Sequence, residues 1–250
     1  MKTALVTGAS SGMGRDFILE IAKNPGDIEE IWAVARRKER LDELSLLVDI
    51  PIKPIVLDLT SDESLAELDA MLNREQPDIR ILINCAGFGK IGRFSELSYD
   101  DNVDMVKLNC CALTAVAHMS LKHMREGAKI IQLASSAAFL PQPKFAVYAA
   151  TKSYVLSLSR AMAQELKGLK ITVTAVCPGP VKTEFFGIAE QTGKIPLYKK
   201  LSMAESKKVV QSAMRAANKG KKVVTYGALM KCFRILCKIL PHGLILRFFK

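Results

Sequence analysis

The sequence predicts a single-domain, doubly wound α/β fold, with about seven parallel strands in one sheet and helices on both faces. Three observations lead there. Short runs rich in β-branched and other apolar residues alternate with amphipathic stretches in regular order. A glycine-rich turn, Thr7-Gly8-Ala9-Ser10-Ser11-Gly12-Met13-Gly14, joins the first run to the first amphipathic stretch. No linker, low-complexity tract or internal repeat interrupts the series, and a chain of 250 residues can bury such a core as one unit.

The first strand covers residues 3–7, and the helix from Ser11 to Lys23 has Phe17, Ile18, Ile21 and Ala22 on its apolar side. Ile31–Ala35 is the second strand, with a helix near 38–47. Lys53–Leu57 is the third, ending at Asp58, followed by a helix over Asp62–Asn73. Arg80–Asn84 is the fourth strand, and one long helix is expected over 100–125. Lys129–Leu133 is the fifth strand, Tyr148–Leu166 a helix, and Ile171–Val176 the sixth strand, stopped by Pro178-Gly179-Pro180. Residues 181–204 have weaker periodicity, 205–218 read as helix, and Lys222–Thr225 supplies the seventh strand. The domain is expected over 1–225 with an integral substrate loop near 181–205, and 226–250 as an apolar and basic extension of it.

Composition sets outer limits. With 49% hydrophobic residues and 15 Gly, the chain is neither collagen-like nor disordered and reads as a soluble globular protein. Six cysteines without a Cys-x-x-Cys pair are no disulfide framework, and Cys85, Cys110, Cys111 and Cys177 are expected as small buried thiols. Three histidines and these cysteines show no zinc spacing, so no metal is expected, and the compartment is expected to be reducing, hence cytoplasmic. The N-terminus runs straight into a core strand rather than a secretory signal, and no run of 18 apolar residues suggests a spanning helix. The net charge of +11 invites an anionic partner. Nucleic acid is not expected, because no basic run is interleaved with aromatics and no reading module occurs.

A glycine turn between a first strand and first helix lets backbone N–H groups and the helix N-terminus meet a pyrophosphate. Gly8, Ser10, Ser11, Gly12, Met13 and Gly14 are therefore candidate dinucleotide contacts. After the second strand, Arg36 and Arg37 stand where an acid would bond a bare adenosine ribose. Two guanidinium groups suit a 2′-phosphate, so NADP(H) is favoured over NAD(H). Asp58 and Leu59 end the third strand, where Asp58 either accepts from the adenine amino group or caps the turn before Thr60. Asn84, Ala86 and Gly87 follow the fourth strand, Asn84 as a cofactor contact or a tie between strands. Tyr148 and Lys152 share one face of a helix, and a cation near a phenol lowers its pKa toward the range an acid/base needs.

In these motifs the sequence resembles the classical short-chain dehydrogenase/reductase family over residues 3–225. Thr7, Gly8, Gly12 and Gly14 match its glycine motif, and Asn84-Cys85-Ala86-Gly87 its Asn-Asn-Ala-Gly motif with one departure at Cys85. Tyr148-Ala149-Ala150-Thr151-Lys152 matches its tyrosine motif and Pro178-Gly179 its Pro-Gly turn. The resemblance implies a Rossmann-like fold and a catalytic tetrad. Tyr148 would be the acid/base, and Ser135, 13 positions earlier with adjacent Ser136 as rival, would polarise the substrate oxygen. Lys152 would tune Tyr148 and bond the ribose, and Asn109 would hold a water or a helix distortion linking Lys152 to solvent. It also implies cofactor contacts from Pro178, Gly179, Val181 and Thr183, and assembly as a homodimer or homotetramer.

The implied reaction is hydride transfer between NADP(H) and a small-molecule ketone or secondary alcohol. Phe139, Leu140, Pro141, Pro143 and Phe145, with Phe185, Phe186, Ile188, Ile195, Leu197, Tyr198 and Leu201, read either as a mobile apolar lid or as helix-to-sheet core contacts, and the substrate as either a lipophilic, even steroid-like compound or another small carbonyl compound. The alternatives are a non-catalytic NADP-binding sensor or scaffold and another enzyme on the same fold, such as an epimerase. Residues 226–250 alternate apolar and basic side chains, and Pro241 and Gly243 divide them into two short helices. That segment is open to three readings: a lid, a subunit contact, or peripheral contact with an anionic membrane.

Overall fold

The structure is a computed structural model that describes residues 1–190, 192–193 and 203–247. The expected lid residues Ile195, Leu197, Tyr198 and Leu201, the side chain of Phe186, and Phe248, Phe249 and Lys250 lie outside the described residues. β1 (Lys2–Thr7), α1 (Gly12–Lys23), β2 (Glu30–Ala35), α2 (Lys38–Ser45), β3 (Ile52–Val56), α3 (Asp62–Glu75) and β4 (Asp78–Asn84) form the first half. The second half begins with α4 (Tyr99–Val106), a π-helical segment Lys107–Ala112, α5 (Leu113–Leu121), β5 (Lys129–Leu133), a 3₁₀ turn Ser136–Phe139, α6 (Ala146–Glu165) and β6 (Thr172–Val176). After these come β7 (Val181–Lys182), α7 (Glu184–Ala189), β8 (Ala204–Glu205), α8 (Ser206–Asn218), β9 (Val223–Val224), α9 (Ala228–Ile239) and α10 (His242–Leu246).

Seven strands make one parallel sheet in the order β3-β2-β1-β4-β5-β6-β9. Alternation along each strand sends successive side chains to opposite faces, and both faces are covered. Ala4, Val6, Ala33 and Ile83 pack with Phe17, Ile18 and Ile21 of α1 and Val209 and Ala213 of α8. Leu5, Trp32, Val34 and Leu82 pack on the other side with Leu68 and Leu72 of α3, Val116 of α5 and Met162 of α6. The strand order reverses direction between β1 and β4, which opens a crevice at the carboxyl ends of those two strands.

The seven expected strands and their order of helices are found, with three local differences. The helix expected over 100–125 is broken at Lys107–Ala112, where the wider π turn carries Asn109; a period of 3.6 residues gives no sign of one inserted residue. The pairing of β7 with β8 was not expected, since two residues per strand carry no periodic signal. Cys111 is exposed rather than buried, because its neighbour Cys110 takes the inward-facing position on the same turn; Cys110 and Cys177 are buried and Cys85 is half-buried.

The C-terminal segment forms the two short helices expected, divided at Pro241. Phe233, Cys237, Leu240 and Ile245 pack on Phe139 and Leu140. The Phe139 and Phe233 rings lie 6.5 Å apart, and the Arg234 guanidinium sits 5.9 Å from the Phe139 ring.

Candidate active site

The crevice is a cleft of about 370 Å³ running from the glycine turn to the N-terminal part of α6. Thr7 builds its floor: the Thr7 hydroxyl accepts from the backbone N–H groups of Cys85 and Ala86, each at 3.1 Å. Gly8 has φ of 67°, and a Cβ there would stand 2.8 Å from the Ala86 nitrogen. A Cβ on Gly87 would stand 2.7 Å from Asn109 Oδ1. Gly8 thus lets the glycine turn close on the chain after β4, and Gly87 lets that chain close on Asn109, which leaves a cradle beside the N-terminus of α1.

Gly8, Ser10, Ser11, Gly12 and Met13 line the cleft at this end, with Arg36, Arg37, Asp58, Leu59, Ala86 and Gly87 beyond them. Pro178, Gly179, Val181 and Thr183 line the facing wall. Gly14 does not line it: a Cβ there would collide with the Gly8 carbonyl oxygen, so its role is close packing of α1 on the turn. Asn84 also lies behind the wall, where it accepts from Thr7 Oγ1 at 3.5 Å and donates to the Leu113 carbonyl at 3.3 Å. It is a tie between β4 and its neighbours rather than a lining residue.

Arg37 donates from Nε and Nη2 to Ser10 Oγ at 3.3 and 3.2 Å, and from Nη2 to Glu184 Oε2 at 3.0 Å. Arg36 faces Asp58 at 3.6 Å. Asp58 Oδ1 accepts from the N–H and hydroxyl of Thr60 at 3.0 and 2.8 Å, which is the turn-capping role. Burial opposes ionisation of Asp58, but the bonds from Thr60 and the Arg36 charge outweigh it and hold the carboxyl below its ordinary value. The pieces at this end fit an anionic dinucleotide: a glycine cradle, a helix N-terminus, and two guanidinium groups beside the end of β2.

At the other end Tyr148 and Lys152 project from one face of α6 and are both buried. The Tyr148 ring stacks on Phe145 at 4.2 Å and tilts against Phe185 at 5.3 Å, and a Cβ on Gly89 would meet all three rings. Both serines line the cleft, and Ser135 is the one whose side chain acts on the Tyr148 phenol. Its own Oγ accepts from the Ala137 N–H at 3.1 Å, and Ser136 instead donates its backbone N–H to the Pro178 carbonyl at 2.7 Å. Lys152 Nζ donates to the Leu133 carbonyl at 2.7 Å and lies 5.7 Å from the Tyr148 ring centre.

Protonation differs from the sequence-based expectation. Burial pushes the Tyr148 phenol up to about 12, with the Ser135 bond pulling the other way. Desolvation among aromatic rings outweighs a cation that is committed to a backbone carbonyl. The same burial brings Lys152 down to about 8. Tyr148 thus holds its proton at neutral pH, and Lys152 keeps its charge there.

Asn109 is fully buried and outside the cleft lining. It donates to the Phe88 carbonyl at 2.9 Å and to Thr151 Oγ1 at 3.1 Å, and accepts from the Phe88 N–H at 3.0 Å. The expected helix distortion is present at this residue, but its side chain is spent on fixing the Phe88 loop against α6. Phe88, Gly89 and Glu184 were not singled out from the sequence. Glu184 had no motif to mark it, and it meets Arg37 across 147 positions of chain.

Residues 2–193 match the family model for short chain dehydrogenase. The chain belongs to the short-chain dehydrogenase/reductase family. It is 31% identical over 190 residues to an NADP-dependent 3-hydroxy acid dehydrogenase of Schizosaccharomyces pombe, covering 74% of this chain and 73% of that protein. An uncharacterized short-chain type dehydrogenase/reductase of Sinorhizobium fredii is 30% identical over 195 residues, which are 78% of this chain but 35% of that longer relative. The fold is similar to a short-chain dehydrogenase from Sphingobium yanoikuyae in complex with NADPH, with a TM-score of 0.80, 28% identity and 96% of each chain covered. Family and fold together make the chain an oxidoreductase with a nicotinamide nucleotide cofactor.

Proposed function

We propose that the chain is an NADP(H)-dependent reductase of apolar ketones, with the reverse oxidation of secondary alcohols at the same site. The observation that carries this reading is the placement of Tyr148 in the cleft with Ser135 and Lys152, its ring walled by Phe145 and Phe185. Arg36 and Arg37 at the opposite end support the 2′-phosphate, as do the NADPH and the NADP dependence named for two similar proteins.

Bound nicotinamide would supply the hydride. Ser135 donates to and holds the carbonyl oxygen, polarising it, and Tyr148 delivers its phenolic proton to that oxygen. The Lys152 ammonium stabilises the phenolate left behind and would hold the nicotinamide ribose of a bound cofactor. Asn109 is a positioning residue, which fixes the Phe88 loop over the cleft. Pro178, Gly179, Val181 and Thr183 shape the wall for the carboxamide. The aromatic rings exclude water and favour apolar substituents on the carbonyl. A panel of aliphatic, aromatic, steroid and sugar carbonyls, followed by nicotinamide absorbance with NADPH and NADH in parallel, tests this. Turnover with NADPH on apolar ketones is expected; turnover restricted to NADH or to sugars contradicts it.

Two further outcomes follow from the geometry. Lys152 is charged below its pKa of about 8 and neutral above it, while Tyr148 keeps its proton to about 12, so reduction slows as pH rises through about 8. A pH–rate profile that stays level through that range contradicts the assignment. Glu184 occupies Arg37 and would repel a 2′-phosphate. Glu184→Gln is therefore expected to tighten NADPH about two- to fivefold, the scale of one exposed ion pair, and to leave NADH unchanged, as read by cofactor titration.

A further inference from the structure

We propose that α9 and α10 seat the protein on an anionic lipid surface, with the helix pair lying flat on the bilayer. The first support is the distribution of charge. Residues 1–205 carry 25 basic and 25 acidic side chains, so they are neutral as a group, whereas residues 206–250 carry 11 basic and no acidic ones. The whole net charge of +11 is thus confined to the last 45 residues.

The second support is the three-sided character of α9. Met230, Phe233, Cys237 and Leu240 recur at helical spacing and form the stripe that faces the protein; Met230 lies against Gly179, and the others pack around Phe139 and Leu140. Lys231, Arg234 and Lys238 make a second stripe beside it. Leu229, Cys232, Ile235, Leu236 and Ile239 form a third stripe that is left uncovered among the described residues: Leu229 is 65% exposed, Ile235 58% and Ile239 73%. Leu244 of α10 is exposed as well, and Arg247 follows it.

Exposed leucine and isoleucine on one arc, with lysines and an arginine on the next, is the pattern of a helix that lies at a bilayer interface. The apolar arc enters the acyl boundary while basic side chains reach the headgroups with their aliphatic stems buried. No described helix is long and apolar enough to cross a membrane, so the contact is with the surface. A second copy of the chain fits this face poorly, since a two-fold contact through it would set two uncompensated basic segments against each other. Because α9 also packs on Gly179 and Phe139 at the cleft wall, a protein seated this way holds its cleft beside the lipid.

The test is co-sedimentation of the full chain with vesicles of phosphatidylcholine alone and of phosphatidylcholine with phosphatidylglycerol in equal parts. Two variants are run beside it, Leu229→Glu/Ile235→Glu/Ile239→Glu and Lys231→Glu/Lys238→Glu. All five side chains are exposed, and unchanged NADPH binding and melting temperature verify that the variants are folded. The proposal expects binding to the anionic vesicles only, released by salt, and at least tenfold weaker in each variant, on the order of a fivefold loss for every basic residue removed from the surface. Equal binding to both vesicles, or to neither, overturns it. So does wild-type-strength binding by a folded variant. Wild-type dimers in light scattering that the triple variant abolishes also overturn it and assign the face to a subunit contact.

Discussion

Tyr148→Phe is expected to lower reductive turnover about a thousandfold, within the range that a positioned general acid contributes, while leaving cofactor affinity nearly unchanged. The ring is the part of Tyr148 that holds the wall together, stacked on Phe145 and tilted against Phe185, and phenylalanine retains it. What is lost is the phenolic hydroxyl, together with the proton that burial keeps on it. Single-turnover kinetics with bound NADPH measures the chemical step, and cofactor titration measures the binding. If turnover survives within tenfold, a different donor supplies the proton. A non-catalytic sensor would show no turnover in either form and the same cofactor binding in both.

Gly14→Val is expected to have the largest effect on stability. Gly14 lies in the first turn of α1, where a Cβ would collide with the Gly8 carbonyl oxygen, a backbone atom that cannot turn aside. Relief requires α1 to move off the glycine turn, and Phe17, Ile18 and Ile21 of α1 are fully or almost fully buried against the sheet. Overpacking of this kind costs about 3 kcal/mol, which for a domain of this size lowers the melting temperature by roughly 6–12 °C. The same shift displaces Ser10, Ser11 and Gly12, so NADPH binding should weaken together with stability. Differential scanning fluorimetry with and without NADPH reads both effects. A variant that melts with the wild type and binds normally would mean that α1 does not press on the turn.

Most of the sheet was legible because buried parallel strands are short apolar runs and the helices between them carry a 3.6-residue stripe; β1, β2 and β4 are examples in which nearly every residue is buried. The cleft was legible where a motif coincides with a strand end, as at Gly8 and Arg37, or with one face of a helix, as at Tyr148 and Lys152. Asn84 and Gly14 belong to the same motifs and yet stand behind the wall, since a motif does not distinguish a residue that touches a ligand from one that holds the turn. The protonation of Tyr148 could not be read from a spacing of four to Lys152. It depends on Phe145 and Phe185, which reach the ring from a preceding loop and from α7. Glu184 was invisible for the same reason, because an ion pair between α7 and the start of α2 exists only after the chain has folded.

The most direct test is isotopic. The chain is incubated with NADPH carrying deuterium at both hydrogens of the nicotinamide C4 and with an apolar ketone from the panel, and the product alcohol is analysed by mass spectrometry. Deuterium on the carbinol carbon, formed by the wild type and about a thousandfold more slowly by Tyr148→Phe, is the expected result. NADPH bound in the cleft with no label transferred to any ketone would contradict the assignment of this chain as a ketone reductase acting through Tyr148.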